Sequence, residues 1–294
     1  MSVKFAVIPA AGLGSRFLPA TKAIPKELIP LVDKPLIQYV VEEAFEAGIE
    51  TIVLITHAAK SALENHFDTQ YELETELEQR NKLALLGIAK NTLPAGMKIV
   101  SVRQGKALGL GHAVACAAPV VQDNPFAVLL PDVICYHQQQ NATAQLVADY
   151  AIHRSSVVAL QEVPLSDVHK YGIAAVSEAH RITGLVEKPS QEDAPSRLSV
   201  LGRYLFTPHI FSELAQTQRG VGGEIQLTDA MQSLLAHETM RAAVFAGEVH
   251  DCGDKLGYLA AILTFAKRHP QLGEAFSQLL NTRFLAYNDH TPRS

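Results

Sequence analysis

A stretch near the N-terminus concentrates groups suited to holding phosphate. It reads Ala10-Ala11-Gly12-Leu13-Gly14-Ser15-Arg16 and continues through Pro19 and Lys22 to Pro25-Lys26-Glu27 and Pro30. Glycines directly after a strand let the backbone approach phosphate oxygens and turn its N–H groups toward them. Arg16 adds a planar cation that can grip two oxygens, and Lys26 adds a mobile point charge. Gly12 and Gly14 alone are equally explained by a tight turn after a buried strand. Two familiar phosphate loops do not fit. The Gly-Lys-Ser/Thr ending of a P-loop is missing. The dinucleotide fingerprint needs Gly or Ala where Phe17 stands, and an acidic residue at the end of the second strand, where Thr56-His57 is found. The prolines make residues 10–26 a long ligand-covering loop, not the opening turn of a helix.

Four further places carry side chains capable of chemistry. Asp132 follows the apolar run 126–131 and can hold a hard cation through oxygen, or simply cap a helix or close a turn. Asp251 follows the β-like run 240–246 and precedes Gly253, where a chain can approach closely. His250 and Cys252 flank it, but alternation along an extended chain points them away from Asp251, which argues against zinc. Gln104, before Gly109-Leu110-Gly111, reads as an exposed polar residue or, with its paired donor and acceptor, as a reader of a base edge. Glu187-Lys188-Pro189, with Tyr171-Gly172 upstream, reads as a solvated turn or as an acceptor and a cation for a polar ligand.

These residues need strands and turns to bring them together. Strand-like runs at 5–9, 51–56, 98–103, 126–131 and 156–163 alternate with helical spacing at 36–47, 71–90, 112–118 and 142–153. Such alternation predicts an α/β, three-layer αβα architecture with a mixed, mostly parallel sheet, and ligands at the strand C-terminal ends. Beyond Tyr171 short strands at 173–176, 182–186 and 199–206 take over, and helices return at 227–237, 255–267 and 271–281. With 48% apolar residues the chain can fill one large core, and no low-complexity linker divides it. The net charge of −5 argues against a nucleic-acid polymer as partner. Three widely spaced cysteines, no leader pattern and no run near the ~20 apolar residues of a membrane span predict a soluble, cytoplasmic protein.

The loop then shows a specific likeness. Gly-x-Gly-Ser-Arg, Pro25-Lys26-Glu27 and Lys34-Pro35 resemble the signature of sugar-1-phosphate nucleotidyltransferases. Within that superfamily, the runs 18–27 and 32–39 are similar to the bacterial UTP–glucose-1-phosphate uridylyltransferases. The similarity continues through Arg103-Gln104-Gly105, Leu130-Pro131-Asp132-Val133, Glu187-Lys188-Pro189, Gly202-Arg203-Tyr204, Glu224-Ile225-Gln226-Leu227-Thr228-Asp229 and Asp251-Cys252-Gly253. The resemblance implies a Rossmann-like nucleotidyltransferase fold with an added β-rich sugar-binding region. It divides the chain into a nucleotide half (1–155), a sugar half (156–268) and a C-terminal helical tail (269–294).

The same resemblance implies that UTP and glucose 1-phosphate become UDP-glucose and pyrophosphate, with Mg²⁺ held by Asp132 and Asp251. Ala10, Ala11, Gly12, Gly14, Ser15, Gln104 and Gly109 would bind the nucleotide, and Gly172, Glu187, Lys188 and Gly202 the sugar. Arg16, Lys26, Asp132 and Lys188 would carry the reaction. A homodimer or homotetramer is implied as well. The alternatives are a thymidylyltransferase-type specificity and a non-catalytic regulatory paralogue. Two positions depart from the branch: Gly223 stands where Asp is usual, and Asp254 where Asn is common.

Overall fold

In the computed structural model, which describes residues 2–282, the continuous apolar runs become central strands. The chain opens with β1 (Phe5–Pro9), crosses the glycine loop as short 3₁₀ turns, and forms a small ribbon of β2 (Pro30–Leu31) and β3 (Lys34–Pro35). Next come α1 (Leu36–Glu46), β4 (Thr51–Thr56), α2 (Ser61–Phe67), α3 (Tyr71–Gln79), α4 (Leu83–Lys90) and β5 (Lys98–Arg103). They are followed by α5 (Leu110–Ala115), α6 (Ala118–Val121), β6 (Phe126–Leu129), β7 (Val133–Tyr136), α7 (Ala142–His153) and β8 (Val157–Glu162). Three strands then come in close succession, β9 (Gly172–Val176), β10 (Ile182–Glu187) and β11 (Leu198–Phe206). The rest is α8 (Ile210–Gln216), α9 (Leu227–Leu234), β12 (Arg241–Val244), β13 (Glu248–Asp251), α10 (Lys255–Arg268) and α11 (Gly273–Leu280).

The main sheet is mixed. β5, β4, β1 and β6 lie side by side and parallel, and β11 joins β6 antiparallel. β8 continues from β11, with β12 parallel to it, while β9 and β10 branch from the start of β11. Strands buried on both faces must be apolar throughout, as Ala6, Val7 and Ile8 of β1 and all of β6 are. One face packs on α1, α7 and α10 through Val40, Leu146 and Ala261; the other packs on α5, α8 and α9 through Val114, Ile210 and Met231. This is the three-layer αβα arrangement the alternation predicts.

The structure corrects the element reading at several points. Residues 71–90 form two helices rather than one, because Asn81 adopts a left-handed backbone (φ 53°) that ends α3. α2 and α8 were not expected. Neither was β7, and Asp251 does not trail the strand at 240–246 but ends its own strand, β13. β13 pairs antiparallel with β7, placing Asp251 opposite Val133. The expected C-terminal tail contains α11, and its residues 283–294 lie outside those described. Among the described residues no helix is long and apolar enough to cross a membrane.

Candidate active site

Lys26 opens a 3₁₀ turn and reaches back across the glycine loop. Its Nζ lies 2.5 Å from Asp132 Oδ2, and the two side chains are only 19% and 13% exposed. Burial alone would lower the lysine and raise the aspartate. Their mutual attraction wins: Lys26 is raised above its usual value, and Asp132 is held below the usual carboxylate range, with Arg16 adding to the latter effect. Both stay charged at neutral pH.

The β7–β13 pair brings Asp251 to the same point. A side-chain carbon placed on Gly253 would sit 2.8 Å from Asp132 Oδ2, 3.0 Å from Asp251 Oδ1 and 3.3 Å from Arg16 Nη2. Glycine keeps open a spot on which two carboxylates and a guanidinium converge. The loops are laced together there, with the Cys252 N–H donating to Asp132 O at 2.7 Å and the Gly253 N–H to Asp251 Oδ1 at 2.9 Å. Burial, and then the charge of Asp132, push Asp251 up. The two carboxylates are hard oxygen donors of the kind a small divalent cation such as Mg²⁺ takes, and among the described residues no cluster of three or more potential metal ligands is present. That ion commonly takes one or two carboxylates and completes its shell with water and phosphate.

Gln104 follows β5 and is buried rather than exposed, at 6%. Its Nε2 donates to Gly109 O at 3.1 Å and to His112 Nδ1 at 2.9 Å, which fixes the plane of the amide. Gly109 has φ 101°, and a Cβ there would come within 2.6 Å of Glu224 Cβ. Two backbone bonds staple this loop to the segment before α9: Gly111 N–H to Ile225 O at 2.9 Å and Ile225 N–H to Leu108 O at 2.7 Å. A segment from the second half of the chain thus shapes a wall that begins in the first.

On the opposite wall Glu187 ends β10 and accepts from Thr228 Oγ1 at 2.6 Å. Gly172 faces both, since a Cβ there would meet Thr228 Oγ1 at 3.0 Å and Glu187 Oε2 at 3.2 Å. Lys188 holds a left-handed backbone (φ 47°), with its N–H donating to Tyr171 O at 3.0 Å. A non-glycine residue in that region carries strain, and such strain concentrates at functional sites.

One cleft of about 560 Å³ joins these walls. Its lining includes Ala11, Gly12, Ser15, Arg16, Lys26, Gln104, Gly109 and Asp132 from the first half, and Gly172, Glu187, Lys188 and Thr228 from the second. Four expected residues sit otherwise. Asp251 stands just behind Asp132. Gly14 turns the loop with φ 66°. Ala10 is fully buried, its N–H donating to Ile55 O at 2.7 Å and its carbonyl accepting from Lys60 Nζ at 2.6 Å. Gly202 does not face the cleft. It has φ 79° at a register shift in β11, and a Cβ there would strike the Leu130 side chain at 2.9 Å. A bulge explains this glycine without a ligand.

Sequence reasoning missed the supports. Glu27, fully buried, pairs through both oxygens with Lys60 at 2.8 Å, and Lys60 also holds Ala10 O. This pair ties the turn carrying Lys26 to the end of β1. Burial pushes Glu27 up and Lys60 down, and their pairing opposes both shifts. The hint in sequence was the Pro25-Lys26-Glu27 run, though nothing marked Lys60 as its partner. Of the two departures, Asp254 caps α10 by accepting from Leu256 N and Gly257 N, a task Asn performs as well. Gly223 adopts φ 73° in an open turn, where an added Cβ would meet nothing within 4 Å.

A model of the nucleotidyl transferase family matches residues 5–268. The UTP–glucose-1-phosphate uridylyltransferase of Haemophilus influenzae is 49% identical over 286 residues, which is 94% of this chain and 97% of that protein. The protein of the same name from Escherichia coli K12 is 49% identical over 288 residues, 95% of each chain. A UTP-bound UGPase from Acinetobacter baumannii superposes with a TM-score of 0.90 at 45% identity, covering 96% of this chain and 99% of that one. A UDP-glucose pyrophosphorylase complexed with UDP-glucose superposes with a TM-score of 0.83 at 41% identity, over 91% of this chain and 100% of the other. The likeness spans the fold and nearly the full length of each relative, and the chain belongs to the nucleotidyl transferase family, in its UTP–glucose-1-phosphate uridylyltransferase branch.

Proposed function

We propose that this protein converts UTP and glucose 1-phosphate to UDP-glucose and pyrophosphate, a sugar-phosphate oxygen attacking the α-phosphorus in line as pyrophosphate leaves. The observation that carries this function is the single cleft in which the cations of the glycine loop meet Glu187, Gly172 and Lys188. The nucleotide half, 1–155, holds UTP: backbone at Gly12 and Ser15 faces the phosphates, and Gln104, Gly109 and the backbone of Ala11 face uracil. The sugar half, 156–268, presents Glu187 and Gly172 to the hexose, and Lys188 steadies its phosphate. No protein nucleophile is needed, so catalysis consists of positioning and charge neutralisation. Arg16 and Lys26 neutralise the departing pyrophosphate. Asp132 and Asp251 would hold Mg²⁺, which when bound supplies charge neutralisation between the two phosphates. The enzyme would act in the cytoplasm as a homodimer or homotetramer, as the family resemblance implies.

Purified protein with Mg²⁺, UTP and glucose 1-phosphate should release pyrophosphate, and dTTP added in equal amount should compete poorly. Release from dTTP at the same rate would favour the thymidylyltransferase alternative, and no release from either would favour a regulatory paralogue.

Asp251 allows a prediction with two signs. Its raised carboxyl is a cost to the free fold once ionised, because the stability tied to its protonated form is lost as pH rises through the folded value. Asp251→Asn keeps an oxygen for the Gly253 N–H while removing the charge. At pH 7 the variant should melt no lower than the parent, yet turn over at least about ten times more slowly. Thermal melts and steady-state rates on one preparation check both signs.

A further inference from the structure

Behind the cleft lies an ion pair that the proposed chemistry leaves without a task. Arg203 is wholly buried and Glu43 is 7% exposed. Arg203 Nε donates to both carboxylate oxygens of Glu43 at 3.0 and 3.1 Å, and Nη2 donates to one of them at 2.7 Å. The guanidinium also reaches beyond its partner. Nη1 donates to Leu130 O at 3.1 Å and to Gly202 O at 3.2 Å, and Nη2 donates to Val133 O at 2.7 Å. Leu130 and Val133 bracket Pro131 and Asp132. Glu43 is oriented in turn by Thr143, whose N–H and Oγ1 donate to Oε1 at 3.2 and 2.6 Å.

Net stability is a weak reason for this arrangement. Removing two charges from water is costly, and apolar residues of similar volume often do as well in a core. A forked, fully committed guanidinium instead gives directional contacts that neither lysine nor an apolar side chain can copy. The β11 bulge at Gly202 immediately precedes Arg203, where the register with β8 shifts.

We infer that Arg203, oriented by Glu43 and Thr143, is a positioning residue that fixes the 130–133 loop so that Asp132 meets Lys26 and Asp251. The inference rests on the proposed uridylyl transfer, in which Asp132 serves the reacting phosphates.

Arg203→Lys tests it, because an ammonium can still pair with Glu43 but cannot hold both loop carbonyls. It should lower kcat about 10- to 100-fold, since small misplacements far from the chemistry cost that much. The half-saturating Mg²⁺ concentration should rise several-fold, and Mn²⁺ binding read by electron paramagnetic resonance should weaken. KM for UTP should change little, as the base and glycine-loop contacts are untouched. The double variant Glu43→Leu/Arg203→Met leaves no buried charge unpaired, although it frees the Leu130 and Val133 carbonyls and the Thr143 hydroxyl, so it should melt higher than Arg203→Met alone while showing the same losses. If either variant folds and keeps parental kcat and Mn²⁺ affinity, the positioning role is overturned, even where Tm falls. If parental protein makes no UDP-glucose, the reaction itself is overturned, and Mn²⁺ binding by the same variants still decides the fate of the loop.

Discussion

Lys26→Met is expected to lower kcat by about 10²–10³-fold, the usual loss when one preorganised donor to developing negative charge is removed. Methionine keeps most of the side chain's length and bulk and removes the ammonium group, with its charge and its donors. Lys26 is placed for this task by two restraints: its ion pair with Asp132, and the Glu27–Lys60 pair that anchors its turn. Its raised pKa keeps it protonated well past neutral pH, so the rate should show no lysine titration between pH 6 and 9. The stabilising contribution of the charged lysine is present at neutral pH and is lost only as pH rises through a value above its ordinary 10.5. The variant should unfold about 1–3 kcal/mol more easily, because the Asp132 carboxylate loses its closest cation. Rates measured well below the melting temperature separate the two effects. Turnover within a factor of a few of the parent would falsify the assignment.

How much of this was legible in the sequence depends on how local each cause is. The strands at Phe5–Pro9, Thr51–Thr56 and Lys98–Arg103, and the helix at Ala142–His153, were read at their observed bounds. Apolar runs and periodicity are properties of neighbouring residues, and Asn141 marks the last helix with a cap written in one side chain. The cleft was legible too, because Gln104, Asp132 and Glu187 each end or follow a strand. What could not be read were contacts between distant segments. Nothing local tells that Lys60 will meet Glu27, or that Arg203 will reach Glu43 across 160 positions. β7 was hidden for a related reason. Its four residues are too few to show alternation, and only pairing with β13 makes them a strand. Gly202 shows the converse: resemblance gives it a ligand, and the structure supplies a local reason for the same glycine, a bulge against Leu130.

Asp132→Asn should also lower turnover by about 10²–10³-fold, again with the fold retained, since one of two hard-oxygen donors and the partner of Lys26 are both lost. Its effect on stability should differ from that of Asp251→Asn. Asp132 is a carboxylate held below its usual range, so its stabilisation is present above pH 3.8 and is lost as pH falls through the depressed value. Removing it forfeits that contribution at neutral pH and leaves Lys26 half-buried beside a neutral amide. The Asp132 charge also helps push Asp251 up, so Asp251 should titrate nearer its ordinary value in Asp132→Asn. That shift can be followed by NMR on the carboxyl carbon. Loss of either neighbouring carboxylate would then cost activity, but only Asp132→Asn should lower Tm, which loss of packing alone cannot produce. A drop in melting temperature of equal size in both variants would instead mean that the two acids support the fold alike, and the asymmetry set up by Lys26 and Arg16 would have no energetic consequence.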